Sequence, residues 1–196
     1  MADKAKLTEE RVWDLPTRLF HWALVASVTA GWALGEFRSF STINWHFYLG
    51  YTTGGLILFR LIWGIVGPPT ARLSALFPKP SEVIDYLRHL SDREPSAVVG
   101  HSPLGSLSVL ALLTSLMVQV STGLFAEDDS LFSEGPLSYL VEEKTVQFCN
   151  AIHEINSGIL MGLVILHVGA LLFYLIWKRE NLIRPMITGW KIVRRD

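Results

Sequence analysis

The strongest constraint on this chain is a set of four apolar stretches, each long enough to cross a membrane. They cover residues 16–35, 46–66, 104–125 and 146–177. A helix needs about 20 residues to cross about 30 Å of hydrocarbon. Backbone polar groups cannot stay unpaired in lipid, so such stretches are expected to be helical. We therefore predict an all-α fold, an integral membrane four-helix bundle that forms a single domain over residues 1–196.

Composition supports this fold class and excludes others. Half of the 196 residues are apolar, and the mean hydropathy is +0.34. The net charge of −1 provides no basic face, so we expect no nucleic-acid partner. The polar N-terminus shows no small-residue cleavage pattern, which favours an uncleaved first span over a signal peptide. The single cysteine, Cys149, excludes an internal disulfide.

The positive charges predict how the spans are oriented. All but three of the 17 lysines and arginines lie before the first stretch, at its very start, between the second and third, or after the fourth. The exceptions are Arg38, Lys144 and Arg60, which lies inside the second stretch. By the positive-inside rule, both termini are cytoplasmic and the four spans are antiparallel. The chain is therefore expected to be a multi-pass membrane protein in contact with the lipid bilayer.

The two longer loops carry further signals. The cytoplasmic loop has apolar residues at helical spacing after Pro80 and a Ser81 cap, which predicts a short amphipathic helix at the membrane interface. The exterior loop, about residues 126–145, is acidic: Glu127, Asp128, Asp129, Glu134, Glu142 and Glu143. Such a loop suits a basic redox partner, but the exclusion of Lys and Arg from translocated loops gives the same pattern.

Histidines in the spans are the candidate functional residues. His153 and His167 are fourteen residues apart in the last stretch, so they share one helix face and lie about 21 Å apart along its axis. With alternating span directions, His46 meets His153 near the exterior, and His21 meets His167 in the cytoplasmic half. Ionisable side chains at membrane depth usually mark function. Interhelical hydrogen bonding or a proton path is the structural alternative.

The cytoplasmic pairing depends on depth. His21 is only three residues from Arg18, whereas His167 is eleven residues before Lys178. The fourth stretch exceeds the length needed for crossing, so its last turns can project into the cytoplasm. His101, at the cytoplasmic start of the third span, is a competing ligand, a contact for a propionate or quinone, or an interfacial cap.

Paired imidazoles are the ligand set of an electron-transfer haem. Two axial histidines fill both faces of haem iron and leave no position for substrate. The chain has no C-x-x-C-H motif, so the haem would be b type and non-covalent, with two haems per chain. Arg18 and Arg60 are candidate contacts for haem propionates, although either side chain could instead snorkel to the interface. Glycines in the spans would let a flat macrocycle approach, or serve helix packing or a homodimer; they are Gly31, Gly35, Gly50, Gly54, Gly55, Gly158 and Gly162.

At these residues the chain resembles the bacterial cytochrome b561 family and the related b-type cytochrome subunits of nickel-iron hydrogenases. The matching segments are V-W-D-L-P-T-R-L-F-H-W (12–22), H-F-Y-L-G-Y (46–51), L-F-R-L-I-W-G-I-V-G-P (58–68), G-H-S-P-L-G (100–105), I-H-E-I-N (152–156) and R-E-N-L-I-R-P-M-I-T-G (179–189). The resemblance implies a protein of the bacterial inner (cytoplasmic) membrane that carries two b haems, with His21, His46, His153 and His167 as iron ligands and a third span that supplies packing rather than iron ligands. It also implies electron relay between the quinone pool and a redox partner: a c-type cytochrome, a hydrogenase or another dehydrogenase.

These patterns leave the activity open in two respects. Quinone is expected at one haem edge, and Arg18, Arg60 and His101 are the candidates if that edge is cytoplasmic. The chain would then be an electron-transfer subunit, and a quinone-linked oxidoreductase complex is one assembly that could contain it. The rival hypotheses are a histidine-containing transporter or channel for protons or metal ions without haem, and a non-redox membrane anchor.

Overall fold

The computed structural model describes residues 6–93, 99–128 and 132–195. Lys4 and Asp129, which entered the charge arguments above, lie outside the described residues. The described part is mainly helical. Its helices are α1 (Leu15–Glu36), α2 (Ile43–Val66), α3 (Pro80–Arg88), α4 (Pro103–Gly123), α5 (Glu143–Ile176) and α6 (Ile183–Thr188), and its strands are β1 (Lys6–Arg11), β2 (Glu127–Asp128), β3 (Ser133–Glu134) and β4 (Trp190–Arg195).

The four long helices coincide with the four apolar stretches, within three residues at each end. Pro16 lies in the first turn of α1, where its missing N–H costs no hydrogen bond. Gly67 and the prolines after it follow the end of α2 directly. α2 begins three residues earlier than expected because the Ile43 N–H donates to the carbonyl of Ser39 at 2.9 Å, which starts the helix in the loop.

Among the described helices, α2, α4 and α5 are long and apolar enough to cross a membrane. α1 has 22 residues, but Arg18, His21 and Glu36 lower its mean hydropathy. Many apolar side chains on these helices point outward: Ile65, Leu166 and Ile176 are 73%, 66% and 74% exposed. Exposed apolar surface of this extent is unfavourable in water but is the expected surface of a helix in lipid.

The described residues form two compact units. The terminal unit contains residues 1–21, 60–110 and 165–196, and the central unit contains residues 22–59 and 111–164. In the central unit α1 and α2 run antiparallel, because Ser27 lies against Thr53, at 3.1 Å between their hydroxyls, while His46 lies against Gly31. α4 and α5 are antiparallel by the same test, with Ser115 against Asn156 and Gln119 against His153.

In the terminal unit, β1 pairs with β4 as an antiparallel two-stranded sheet. Lys6 lies opposite Arg195, and Arg11 lies opposite Trp190. The all-α prediction holds for most of the described chain, but it included neither this pair nor the short β2–β3 hairpin of the central unit. Neither strand of the β1–β4 pair shows a clear alternation of apolar and polar residues, so its formation depends on a partner far away in sequence, which local patterns do not reveal.

The cytoplasmic loop contains the predicted short helix. α3 begins at Pro80, not after a Ser81 cap: the Lys79 N–H donates to Glu82 Oε2 at 3.1 Å, so a side chain inside the first turn caps the backbone. Ile84 and Leu87 are 51% and 50% exposed. This unburied apolar face is the one that an interfacial helix presents to lipid.

Substituting Gly189 by alanine is expected to destabilise the terminal unit. Gly189 caps α6 with φ +89°, and a Cβ would lie 2.7 Å from the Trp13 carbonyl oxygen. Its own carbonyl accepts the N–H groups of Val12 and Trp13. Left-handed backbone strain and this clash predict a loss of about 2 kcal/mol, read as a lower thermal unfolding temperature in detergent. Gly169→Ala is the matched control, since no atom lies within 4 Å of its Cβ position. Equal unfolding temperatures for the two variants would contradict this account.

Candidate functional site

In the central unit, His46 of α2 and His153 of α5 face each other. Their ring centroids are 6.2 Å apart and their planes are tilted by 79°. Two imidazoles on opposite sides of one metal ion, each bound through nitrogen at about 2.0 Å, place their centroids about 6.3 Å apart. The pair therefore has the separation that axial ligation of one iron atom requires.

Hydrogen bonds fix which nitrogen each of these rings can offer. His46 Nδ1 donates to the carbonyl of Gly31 at 2.8 Å, and His153 Nδ1 donates to the carbonyl of Gln119 at 3.0 Å. A carbonyl oxygen only accepts, so Nδ1 carries the proton of the neutral ring. In both histidines Nε2 then keeps its lone pair for a metal ion, and the carbonyl bond increases the basicity of the ring.

Each imidazole also packs against a glycine. A Cβ at Gly35 of α1 would lie 2.9 Å from Cε1 of His46, and a Cβ at Gly123 of α4 would lie 2.9 Å from Cε1 of His153. Both distances are shorter than side chains tolerate, so the two rings occupy space that any other residue would fill. The sequence drew attention to Gly35 only as a small residue in the first span, and Gly123 was missed.

α4 contributes more than packing. Ser115, Gln119 and Thr122 recur at helical spacing on one face of α4, and all three form hydrogen bonds with α5. The resemblance assigned packing rather than iron ligands to the third span, and these hydrogen bonds add a polar contact to that packing. The signal was present in the sequence, as three polar residues at i, i+4 and i+7 within an apolar stretch, but a search restricted to histidines passes over it.

In the terminal unit, three histidines and an arginine form one cluster. Arg60, His167 and His21 all act electrostatically on His101, and the ring of Trp13 lies 4.6 Å from its centroid. Burial, together with the charges of these three neighbours, lowers the pKa of His101 to about 4, so the ring is neutral at physiological pH. The structure thus brings His21 and His167 together and adds His101 to the same cluster.

Several buried polar atoms near this cluster have no hydrogen-bond partner among the described residues, and most of them can donate a hydrogen bond to an anionic group. Arg60 is only 5% exposed, and its Nη1 has no hydrogen-bond partner among the described residues; neither do Arg18 Nε and Thr17 Oγ1. An unsatisfied buried donor costs about 1–3 kcal/mol, so a bound carboxylate would be stabilised here. Asp14 Oδ1 is a further buried atom of this kind, but an acceptor. Thr17 was not foreseen, although it lies one helical turn before His21.

Arg18 has a second role in the structure. Its Nη1 donates to the carbonyl of Ile187 at the end of α6, and its guanidinium lies near Gly189. Arg18 therefore ties α1 to the segment that leads into β4. Its Nε is buried and has no hydrogen-bond partner among the described residues. Arg60 is packed against Gly64 within α2.

Comparison with known proteins decides the family. The family described as prokaryotic cytochrome b561 matches residues 12–189. The chain belongs to the prokaryotic cytochrome b561 family. Members of this family are helical membrane proteins with four transmembrane helices. The family that the six sequence segments indicated is confirmed, and so is the predicted location in a prokaryotic membrane.

Relatives of this b561 chain extend over nearly its whole length. A protein of Azotobacter vinelandii is 27% identical, over 97% of this chain and 92% of the relative. Proteins of Bradyrhizobium diazoefficiens and Rhodobacter capsulatus are 24% and 22% identical, over 91% and 96% of this chain and 84% of each relative. All three are described as probable Ni/Fe-hydrogenase B-type cytochrome subunits. No solved structure matches the chain.

Membership in the b561 family implies membrane electron transfer through b-type haem. The two histidine sites are consistent with that chemistry, since both offer neutral imidazoles within an apolar bundle. In the terminal unit, the buried donors also fit a group that carries carboxylates, as haem does through its propionates.

Proposed function

We propose that this chain is a di-haem electron carrier that passes electrons between the quinone pool and a redox protein at the exterior face. The observation that carries the proposal is the His46–His153 pair, with its 6.2 Å centroid separation and both Nδ1 protons donated to carbonyls. A bound haem b would supply iron that gains or loses one electron without opening a coordination position. The chain itself would hold and orient that iron and exclude water from it.

The residues divide into two ligand sets. His46 and His153 would hold the exterior haem, and His21 and His167 the cytoplasmic one. Arg60 and Thr17, with their unsatisfied buried donors, would bind propionate oxygens of the cytoplasmic haem, and Arg18 Nε would add a donor at the same end. His101 lies beside this ligand pair and is the polar side chain best placed to hydrogen-bond a quinone at the cytoplasmic haem edge.

The pairing of β1 with β4 supports four crossings. These strands flank the set of helices, one before α1 and the other after α6, and they lie side by side. An even number of crossings brings the two flanking segments to the same side of the membrane, whereas three would separate them. α1 therefore crosses together with α2, α4 and α5, in spite of its lower hydropathy. The excess of Lys and Arg in these segments places both termini in the cytoplasm.

The names of the relatives support a nickel-iron hydrogenase as the redox partner. In the central unit, the acidic loop is held by Arg38, which pairs with Asp128 at 2.9 Å, while Glu134 remains exposed beside it. A basic partner surface would complement these carboxylates. A c-type cytochrome or another dehydrogenase would offer the same charge, so copurification of the partner decides among the three.

The proposal predicts a coloured protein with two b haems per chain. Full-length protein purified in mild detergent is expected to show a Soret band and sharp α-bands after reduction, with about two haems per chain by pyridine haemochrome assay. Added quinol is expected to reduce both. A colourless preparation that moves protons or metal ions in vesicles would instead support the transporter hypothesis, and haem that quinol does not reduce would remove the quinone from the proposal.

A further inference from the structure

A closed hydrogen-bond network joins α4 to α5 beside His153. Ser115 Oγ donates to Asn156 Oδ1 at 3.0 Å, and Asn156 Nδ2 donates to the Ser115 carbonyl at 2.9 Å and to Gln119 Oε1 at 2.6 Å. Gln119 Nε2 in turn donates to the carbonyl of His153 at 3.1 Å. We call Ser115, Asn156 and Gln119 the amide network.

Gln119 holds His153 at two points. Its side-chain amide donates to the backbone carbonyl of His153, while its own backbone carbonyl accepts the ring Nδ1 proton at 3.0 Å. The backbone and the imidazole of one residue are therefore both attached to a single residue of the facing helix. Rotation of the Gln119 side chain would break the first of these bonds. His153 would then be held only through its ring, by the Gln119 backbone carbonyl and by the Thr122 hydroxyl, which lies 3.3 Å from Nδ1.

The network leaves little freedom for that rotation. Ser115 and Asn156 are 6% and 7% exposed, and each amide oxygen of Asn156 and Gln119 accepts a hydrogen bond while each amide nitrogen donates at least one. In an apolar interior, polar groups that are all satisfied in one arrangement hold that arrangement firmly. Asn156 thus fixes the direction of the Gln119 amide, and Ser115 fixes Asn156.

The partner ligand has no such support. His46 donates Nδ1 to the Gly31 carbonyl at 2.8 Å, but no buried amide among the described residues of α1 or α2 bonds to its backbone. The nearest comparable feature is the hydroxyl pair Ser27–Thr53, which links α1 to α2 at 3.1 Å and touches neither histidine. The central unit therefore contains the amide network, which contacts His153, and the buried Ser27–Thr53 pair, which contacts neither histidine.

We propose that the amide network is a positioning device for His153 that lowers the reduction potential of the exterior haem. The inference rests on the proposed function, since it assigns His153 to that haem. A firmly donated Nδ1 proton makes the imidazole a stronger electron donor, which favours ferric over ferrous iron. Without the network the Nδ1 bond weakens, so the exterior haem becomes easier to reduce while the cytoplasmic haem keeps its potential.

The test is a redox titration of full-length Asn156→Leu. At a fixed ambient potential, we expect the ferrous-to-ferric ratio of the exterior haem to rise at least threefold, which is about 28 mV for a one-electron couple. The low-field EPR signal of the exterior haem is expected to shift because the His153 ring rotates. The signal of the cytoplasmic haem is expected to stay unchanged. His167→Ala, which keeps only the exterior haem, identifies the signals. The single variant Ser115→Thr retains the hydroxyl and is expected to keep the wild-type potentials and EPR signals.

Thr53→Val is the matched control, because it removes a buried hydroxyl bond in the same unit without touching a ligand. If Asn156→Leu lowers the unfolding temperature as Thr53→Val does but leaves both potentials and both EPR signals unchanged, the network is only structural and the inference is overturned. Should Asn156→Leu not accumulate, Gln119→Met removes the same clamp, and an unchanged potential there overturns the inference equally. A wild-type protein without two b haems would instead refute the proposed function itself.

Discussion

Replacing His153 with alanine is expected to leave about one haem per chain, with loss of the exterior haem. The methyl side chain offers no ligand, and His46 alone would leave one axial position to water or to nothing in an apolar bundle. His167→Ala is expected to remove the other haem and to spare the first. Pyridine haemochrome assays and reduced-minus-oxidised spectra of purified protein measure both the number and the identity of the haems that remain.

Two further variants make this result decisive. His89 is exposed on the cytoplasmic loop and serves as the control, so His89→Ala is expected to keep two haems. His21→Ala and His101→Ala compare the two candidate ligands opposite His167. Substitution of the true ligand is expected to remove a haem, whereas substitution of the neighbouring histidine is expected to change only the spectrum or the reactivity with quinol. Two haems retained in both His153→Ala and His167→Ala would show that the pairing is wrong.

The second large effect is expected from Gly123→Val. A Cβ at this position would lie 2.9 Å from Cε1 of His153, and the branched side chain adds two methyl groups in the same direction. The ring must move away, which breaks its 3.0 Å bond to the Gln119 carbonyl and turns Nε2 from its position. Loss of such supporting contacts typically costs 10- to 100-fold in metal affinity. We therefore expect most of the exterior haem to be lost on purification.

Gly55→Val provides the comparison, because no atom lies within 4 Å of the Cβ position at Gly55. Both variants introduce the same β-branched residue into the central unit, Gly55→Val within α2 and Gly123→Val at the last residue of α4. Haem content close to two per chain is expected for Gly55→Val. Equal haem loss in the two variants would mean that the contact between Gly123 and His153 has no special role.

The helices were predictable from sequence because their signals are local. Apolar length, the proline at residue 16 and the Gly-Pro-Pro stop after α2 define them without knowledge of the partner helices. The His46–His153 meeting was predictable as well, because alternating span directions leave few residues at matched depth. In each case the information lies in one stretch of chain or in the simple alternation of spans.

The missed features all depend on residues that are distant in sequence. His101 joins His21 and His167 only through the packing of three helices, and Thr17 becomes informative only once its burial is known. Gln119 contacts the His153 ring through its backbone carbonyl, and every residue has one, so residue type does not reveal that contact. Patterns along a single helix therefore find the candidate ligands but not the groups that contact them.

The β1–β4 pair also has a consequence for biogenesis. β1 leaves the ribosome before α1, but its partner β4 is made only after residues 12–189 have been synthesised. Closing so long a loop is entropically costly and slow compared with helix formation. With the proposed four crossings, the strands would join only after every helix has been inserted. A chain that skips one insertion would leave the two strands on opposite sides of the membrane, where they could not pair.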